Sequence, residues 1–326
     1  MHISAFGVRG DEVPYFQAWA ARTENQVDLY AEYLNVDTCR LASGADAVTC
    51  FQTVPYPAEL FANLPVSYLA LRNAGFENVD LPAARHHHVR VSYVPAYSPS
   101  AIAEFAIMSM LALLRQNGPV QTALHDHDYR LAKTFMGREL GACTVGVIGT
   151  GHIGQAVIKI LNGFGARVLI TDAHLPHDPS LQYTAVPLPQ LLAQSDIIPL
   201  HIPGDPSNHH LLNKAAFRLM KAGTLIINTA RPNVLDTKAL LHHLRSGKLG
   251  GVAIDTFEHE ADDLLQLAED HDFSDPLWEE LLSMPNVLLS PHIAYYTDVA
   301  VRNMVEQSLD SLVAFHNDQP VATELT

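Results

Sequence analysis

A glycine-rich turn between two apolar runs is the feature of this sequence that most constrains its fold. The turn at 149–154 reads Gly-Thr-Gly-His-Ile-Gly and matches the pattern G-x-G-x-x-G. It directly follows the apolar run 144–148, opens a stretch with helical spacing, and is followed by a second apolar run that ends at Asp172. The turn alone would be weak evidence, but this order of strand, turn, helix and strand is typical of a dinucleotide-binding unit.

Each residue of the turn has a physical task in such a unit. Gly149 allows the tight turn, Gly151 lets the backbone approach a pyrophosphate, and Gly154 lets the helix pack closely on the strand. The anion then lies at the amino end of the helix. We therefore expect His152 and Ile153, which begin the helix, to contact the cofactor as well.

Asp172 lies at the end of the second predicted strand, 18 residues beyond Gly154. A carboxylate there accepts hydrogen bonds from the adenosine ribose hydroxyls and repels a 2′-phosphate, so the sequence predicts NAD in preference to NADP. In the alternative reading the glycines only make a turn and Asp172 is a solvated strand end. The order of the surrounding elements disfavours that alternative.

The length and charge of the chain limit its partners. With 326 residues, 48% of them hydrophobic, the chain is long enough for two buried cores. Its 35 acidic residues outnumber the 20 Lys and Arg and give a formal charge of −15, which repels nucleic acid and anionic lipid. We expect a small-molecule partner, and an anionic one needs a well-placed arginine.

The remaining composition predicts a cytoplasmic protein that binds no metal. No basic segment followed by an apolar one begins the chain, so no secretory signal is predicted. The longest apolar stretch, 101–114, is shorter than the roughly 20 residues of a membrane span. Widely spaced Cys39, Cys50 and Cys143 favour reduced, buried thiols. The adjacent histidines favour solvated surface, because none forms an H-E-x-x-H pattern.

Two series of alternating strands and helices follow one another along the chain, which indicates an α/β protein. Short β-rich runs in the first hundred residues are 3–6, 47–51 and 68–71, and a helical stretch covers 13–21. Later runs are nearly continuous in apolar residues, as in a parallel sheet that is buried on both faces. They are 144–148, 167–171, 196–200, 224–228, 252–254 and 287–290. The stretch 297–315 has helical spacing and is expected to return to the first domain.

Three polar residues follow predicted strands of the second series, where open α/β sheets bind their ligands. Arg231 can hold a substrate carboxylate through two parallel hydrogen bonds. His292 can donate or accept a proton near neutral pH, and Glu260 can pair with the imidazolium and raise its pKa. From spacing alone, a surface ion pair, a capping histidine and a solvated glutamate explain these residues equally well.

Six segments resemble, in order, the successive signatures of the D-2-hydroxyacid dehydrogenase family. They are 71–75, 94–99, 149–154, 228–231, 255–260 and 290–297. The resemblance implies that Arg231, Glu260 and His292 are the catalytic trio, as in the lactate dehydrogenase branch, and that Asp255 helps to bind the cofactor. One position departs from the family, because Pro232 stands where glycine is usual. Proline there predicts a stiffer, more extended backbone at Arg231.

The resemblance also implies the architecture. A Rossmann cofactor domain, residues 100–297, is expected to be inserted in a flavodoxin-like substrate domain formed by residues 1–99 and 298–326. Both domains are then doubly wound parallel sheets, and the active site lies in the cleft between them. Family members commonly pair through their cofactor domains, so a homodimer is expected.

The activity implied by the resemblance is NADH-dependent reduction of 2-oxo acids to D-2-hydroxy acids. The backbone at Ala74 and Gly75 is expected to help bind the carboxylate. Phe51, Tyr97 and Tyr295 resemble pocket residues; unless they are core residues, such aromatics narrow the pocket and favour pyruvate, with D-lactate as product. A D-2-hydroxyisocaproate-type dehydrogenase for bulkier branched or aromatic 2-oxo acids is the alternative. A hydroxypyruvate or glyoxylate reductase and an NAD-sensing, corepressor-like binding protein are less favoured.

Overall fold

The computed structural model describes residues 1–258 and 275–326, so the predicted catalytic Glu260 lies outside the described residues. The chain divides into two compact units, Met1–Ser98 with Tyr296–Thr326, and Pro99–Tyr295. Within the described ranges, one unit contains a five-stranded sheet and the other a seven-stranded sheet, and the paired strands of both are parallel. The predicted α/β class with two parallel sheets is confirmed.

The first unit is built on the sheet with strand order β2-β1-β3-β4-β5. Its strands are β1 (His2–Phe6), β2 (Gln26–Leu29), β3 (Ala47–Cys50), β4 (Tyr68–Leu71) and β5 (Arg90–Ser92). Its helices are α1 (Val13–Thr23), α2 (Ala58–Asn63), α3 (Leu81–His86) and, near the end of the chain, α12 (Asp298–His316). Apolar residues of α2 and α3 cover one face of the sheet, and those of α1 and α12 cover the other.

Helix α12 completes the core of the first unit. It begins where the hydroxyl oxygen of Thr297 accepts a hydrogen bond from the backbone N–H of Ala300 at 3.2 Å. The Trp19 indole N–H of α1 donates to the Asp310 carboxylate of α12 at 2.8 Å, and Phe315 is fully buried in the same core. The helix predicted for 297–315 is therefore confirmed.

The second unit is built on the sheet with strand order β12-β11-β10-β9-β6-β7-β8. Its strands are β6 (Thr144–Ile148), β7 (Arg167–Thr171), β8 (Thr184–Ala185), β9 (Ile197–Leu200), β10 (Thr224–Asn228), β11 (Leu249–Ile254) and β12 (Val287–Leu289). Its described helices are α4 (Pro99–Leu114), α5 (Asn117–His125), α6 (Tyr129–Ala132), α7 (His152–Gly163), α8 (Leu188–Gln194), α9 (Lys214–Leu219), α10 (Thr237–Arg245) and α11 (Pro276–Ser283). The strand order reverses between β6 and β9, and open α/β sheets bind ligands outside the carboxyl ends of the strands at such a point.

Burial on both faces explains the continuous apolar runs of the second series. Every residue of β9 and β10 is buried. Helices α4 and α7 pack on one face of the sheet, and α8 to α11 pack on the other. No helix within residues 1–258 and 275–326 is long and apolar enough to cross a membrane.

Candidate active site

The glycine-rich turn joins β6 to α7, and two of its positions accept only glycine. Gly149 has a φ of +94°, and a Cβ there would lie 2.3 Å from the carbonyl oxygen of His201. A Cβ on Gly154 would lie 2.1 Å from the carbonyl oxygen of Gly149. Gly151, in contrast, faces open space and directly precedes His152, the first residue of α7. The turn therefore leaves room in front of the amino end of α7.

Asp172 directly follows β7 and is tied to the turn. Its carboxylate accepts hydrogen bonds from the Thr150 N–H at 2.5 Å, the Thr150 hydroxyl at 3.1 Å and the His174 N–H at 2.9 Å. Burial raises the pKa of the Asp172 carboxyl, but these hydrogen bonds outweigh burial, and the pKa lies below its ordinary value. The residue is ionised at neutral pH, as an interaction with ribose hydroxyls requires.

Several buried polar atoms at the carboxyl edge of the seven-stranded sheet have no hydrogen-bond partner among the described residues. They are both ring nitrogens of His201, the hydroxyl oxygens of Thr229 and Thr256, and the side-chain oxygen of Asn233. An unsatisfied buried polar group costs about 1–3 kcal/mol, so a polar ligand at this edge would stabilise the protein. Burial also lowers the pKa of His201 to about 4, so its neutral ring offers one donor and one acceptor.

These features fit NAD. The open turn at the amino end of α7 suits a pyrophosphate, and the ionised Asp172 suits ribose hydroxyls. The unsatisfied atoms follow β9, β10 and β11, on one side of the point where the strand order reverses. Among the described residues, no group of three or more His, Cys, Asp or Glu side chains could hold a metal ion.

Arg231 follows β10, and a hydrogen bond from Asn228 reaches its backbone. Its φ of −133° and ψ of 148° are extended, as the following Pro232 favours. The Asn228 side-chain amide donates to the Arg231 carbonyl at 3.1 Å, and one Arg231 guanidinium nitrogen donates to the Ala230 carbonyl at 3.1 Å. A Cβ on Gly204 would lie 3.1 Å from both Cβ and Cγ of Arg231. Glycine at this position, which the sequence reasoning missed, lets a neighbouring loop pass close to the arginine.

His292 follows β12 and adopts the left-handed conformation, with a φ of +55°. Its backbone N–H donates to the backbone carbonyl of Asp255 at 2.8 Å and to that of Ser290 at 3.0 Å. The ring of Tyr295 is 6.2 Å from the His292 ring and nearly perpendicular to it. A non-glycine residue in this region of φ costs energy and persists where its surroundings hold it, as often occurs at functional sites.

Asp255 is the residue that holds the loop around His292. It follows β11, is only 2% exposed, and its carboxylate accepts hydrogen bonds from the Ser290 hydroxyl at 2.5 Å, the Ile293 N–H at 3.0 Å and the Ala294 N–H at 2.9 Å. Sequence reasoning missed this positioning role, and its signal is an acidic residue at the end of a buried strand. Cofactor binding by Asp255 stays a prediction.

The structure brings Arg231, Asp255 and His292 to one edge of the seven-stranded sheet. They follow β10, β11 and β12, which are consecutive in the sheet and parallel. Neighbouring strands lie about 4.8 Å apart, so the chain segments that carry the cation and the imidazole start about 10 Å apart. Such an edge can bind an anion and exchange a proton with it.

The predicted pocket residues of the first unit also follow its strands. Phe51 comes directly after β3, and Ala74 and Gly75 come shortly after β4, so these residues share the carboxyl edge of the five-stranded sheet. Tyr97 lies beyond β5, where its carbonyl accepts a hydrogen bond from the Asn303 side chain of α12 at 2.6 Å. Contact of these residues with substrate stays a prediction.

Comparison with known proteins identifies the family. Residues 107–294 match the family model "D-isomer specific 2-hydroxyacid dehydrogenase, NAD binding domain". A D-2-hydroxyacid dehydrogenase (NAD+) of Lacticaseibacillus paracasei is 50% identical over 100% of this chain and 99% of its own. A D-lactate dehydrogenase of Leuconostoc mesenteroides subsp. cremoris is 41% identical over 97% of this chain and 96% of its own. The solved structure of a D-2-hydroxyisocaproate dehydrogenase matches with a TM-score of 0.96 at 50% identity and covers 100% of both chains.

The chain therefore belongs to the D-isomer-specific 2-hydroxyacid dehydrogenase family. It is an oxidoreductase that uses NAD, a D-2-hydroxyacid dehydrogenase. The predicted family, enzyme class and cofactor are confirmed.

The choice of NAD over NADP provides a first test of the cofactor site. Asp172→Asn removes the negative charge while keeping the size of the side chain. We expect the dissociation constant of NADH to rise about 10-fold or more, since a hydrogen bond to a charged group contributes about 1.5–3 kcal/mol. The preference for NADH over NADPH should fall, because the 2′-phosphate is no longer repelled. Fluorescence titration with both cofactors measures this.

Asp178→Asn is the matched control for Asp172→Asn. Asp178 is an exposed carboxylate in the same segment, and its side chain accepts hydrogen bonds from Ser180. Its removal changes the net charge equally and should leave the ratio of the two affinities unchanged. An Asp172→Asn protein that still excludes NADPH as strongly as the parent would contradict the assigned role.

Proposed function

We propose that this dehydrogenase prefers branched or aromatic 2-oxo acids and reduces them to D-2-hydroxy acids, as a D-2-hydroxyisocaproate-type enzyme. The observation that carries the proposal is the 50% identity and 0.96 TM-score to the D-2-hydroxyisocaproate dehydrogenase structure, against 41% identity to the Leuconostoc D-lactate dehydrogenase. The expectation of pyruvate rested on aromatic residues at three pocket positions. Aromatic character alone does not fix the size of a pocket, so the relatives favour the larger substrate.

The residues of the second unit support a division of labour in this reaction. NADH, when bound, supplies the hydride that reduces C2 of the 2-oxo acid. Arg231 holds the substrate carboxylate through two parallel hydrogen bonds from its planar guanidinium. His292 gives a proton from its ring to the carbonyl oxygen as that oxygen gains negative charge. Asp255 keeps His292 in place through the surrounding loop, and Glu260 is assigned the stabilisation of the protonated ring.

Residues of the first unit are proposed to bind the side chain of the substrate. Phe51, Tyr97 and Tyr295 are each proposed as residues that contact the substrate, Phe51 and Tyr97 as pocket walls. The backbone at Ala74 and Gly75 is proposed to assist with the carboxylate, because a residue without a Cβ permits close approach.

We further propose a homodimer that buries an apolar part of the second unit. Three large side chains in and after α6 are well exposed: Tyr129 at 61%, Leu131 at 46% and Met136 at 86%. Exposed apolar side chains that lie close together in the sequence are candidates for an association surface. Analytical ultracentrifugation measures whether the protein is a dimer.

Substrate preference is tested by NADH oxidation with pyruvate, 2-oxoisocaproate, phenylpyruvate and hydroxypyruvate, followed by chiral analysis of the product. We expect kcat/KM for 2-oxoisocaproate to exceed that for pyruvate by about 10-fold or more, because each methylene that fits an apolar pocket contributes about 1–3 kcal/mol. The product should be the D isomer.

The His292→Ala protein, purified in parallel, measures NADH oxidation by contaminants. A preference for pyruvate would return the assignment to a lactate-forming enzyme. Tight NADH binding with no turnover of any of these acids would instead favour a binding protein.

A further inference from the structure

Arg9 lies in the loop after β1, outside the predicted site residues, and its guanidinium contacts two aromatic rings. The guanidinium carbon is 4.7 Å from the centroid of the Phe51 ring and 5.3 Å from the centroid of the Tyr296 ring. Both distances are within the roughly 6 Å at which a cation is attracted to an aromatic face. Phe51 is a proposed wall of the substrate pocket, so Arg9 contacts a residue of that wall.

A buried ion pair fixes the backbone at Arg9. The backbone N–H of Arg9 donates to the Glu12 carboxylate at 2.9 Å. The same carboxylate pairs with Arg72 at 3.0 Å, and the side chains of Glu12 and Arg72 are fully buried. Arg72 also donates to the carbonyls of Phe6 at 2.9 Å and Gly7 at 3.1 Å. The loop from β1 to Arg9 is thereby fastened at several points, and the arginine side chain starts from a rigid base.

The same loop lies directly against the backbone of Phe51. Gly7 has a φ of +61°, and a Cβ there would lie 2.1 Å from the Phe51 carbonyl oxygen. The Phe51 N–H donates to the carbonyl of Phe6 at 3.3 Å. One short segment therefore contacts the backbone of Phe51 through Gly7 and its ring through Arg9.

We propose that Arg9 is a positioning residue that fixes the Phe51 and Tyr296 rings and so determines which 2-oxo acid side chains the enzyme accepts. The proposal rests on the assignment of Phe51 to the substrate pocket. The planar guanidinium stacks on aromatic faces and holds them in one orientation. A pocket discriminates between substrates only as sharply as its walls are held in place.

The test compares Arg9→Met and Arg9→Lys. Methionine keeps much of the side-chain length but removes the cation and its planar group, whereas lysine keeps the charge. We expect the ratio of kcat/KM for 2-oxoisocaproate to that for pyruvate to change about 5-fold or more in Arg9→Met, mainly through KM, because such contacts contribute about 0.5–2 kcal/mol. Arg9→Lys should restore part of the change, and the affinity for NADH should be unaltered.

Arg22→Met is the matched control. Arg22 is an arginine of α1 in the same unit, its side chain is 59% exposed, and it pairs with Glu306 on the surface. Its replacement removes the same charge without contact to the pocket wall, so the substrate ratio should stay at the parent value. Thermal unfolding of each variant verifies that it is folded.

A double variant tests whether Arg9 acts through the ring. If it does, Arg9→Met should have a smaller effect in a protein that already carries Phe51→Leu. There we expect it to change the ratio of kcat/KM for 2-oxoisocaproate to that for pyruvate by less than half as much as in the parent protein, since the effects of substitutions at contacting residues are not additive. Full additivity would mean that Arg9 acts independently of the Phe51 ring, and an equal loss of kcat/KM for every 2-oxo acid would mean that Arg9 does not select between side chains. Either result would overturn the proposal. The test compares each variant with the parent protein, whichever 2-oxo acid the parent prefers. A negative result for Arg9 can therefore be distinguished from a parent protein that prefers pyruvate.

Discussion

Replacing His292 with alanine is expected to lower kcat for 2-oxo acid reduction by about 10²- to 10⁴-fold, the usual contribution of a positioned general acid. The proton for the new hydroxyl group must otherwise come from water, which is not held in place. Steady-state kinetics of 2-oxo acid reduction measure this loss.

Titration with NADH distinguishes a lost proton donor from a misfolded site. The glycine-rich turn and Asp172 are untouched by the substitution, so the affinity for NADH should remain near that of the parent. His87→Ala, which alters an exposed histidine at the end of α3, is the matched control and should leave kcat unchanged. Near-normal turnover by the His292→Ala protein would mean that another group delivers the proton.

Most of the strands that could be predicted lie inside a sheet, and the edge strand β12 was predicted as well, at 287–290. Strands β9 and β10 are entirely buried, and their continuous apolar runs are visible in the sequence. Strands β2, β5 and β8 were not predicted, and all of them lie at sheet edges. Both residues of β8 are exposed. An edge strand pairs on one side only, so its sequence carries a weaker pattern, and its partner decides its conformation.

The site residues also divide into those that the sequence reveals and those that it does not. Arg231, His292 and the glycine-rich turn follow strands that the sequence already reveals, so their common edge could be predicted from chain order alone. The contacts of Asp255 with the loop 290–294 and of Arg9 with Phe51 join segments far apart in the chain. An acidic residue at the end of a buried strand marks Asp255 as a candidate, but no local pattern gives the partners of these contacts, because each depends on how separate segments meet in the folded protein.

Replacing Arg231 with methionine is expected to lower kcat/KM by about 10²- to 10⁴-fold, since two hydrogen bonds to a carboxylate contribute about 1.5–3 kcal/mol each. Arg231→Lys keeps the charge but loses the planar fork, so its loss should be smaller than that of methionine. Measuring kcat/KM of both variants with pyruvate, 2-oxoisocaproate and phenylpyruvate tests this.

The pattern across substrates is as informative as the size of the loss. Every 2-oxo acid carries the same carboxylate, so a residue that binds this group should weaken all of them by a similar factor. Arg9, which contacts the Phe51 ring that we propose as a pocket wall, should instead change the ratio between substrates. If the loss in Arg231→Met were confined to the bulky acids, the arginine would serve the side-chain pocket and another group would hold the carboxylate. Similar losses for all three acids in Arg231→Met, with a changed ratio in Arg9→Met, would assign anchoring and selection to different arginines.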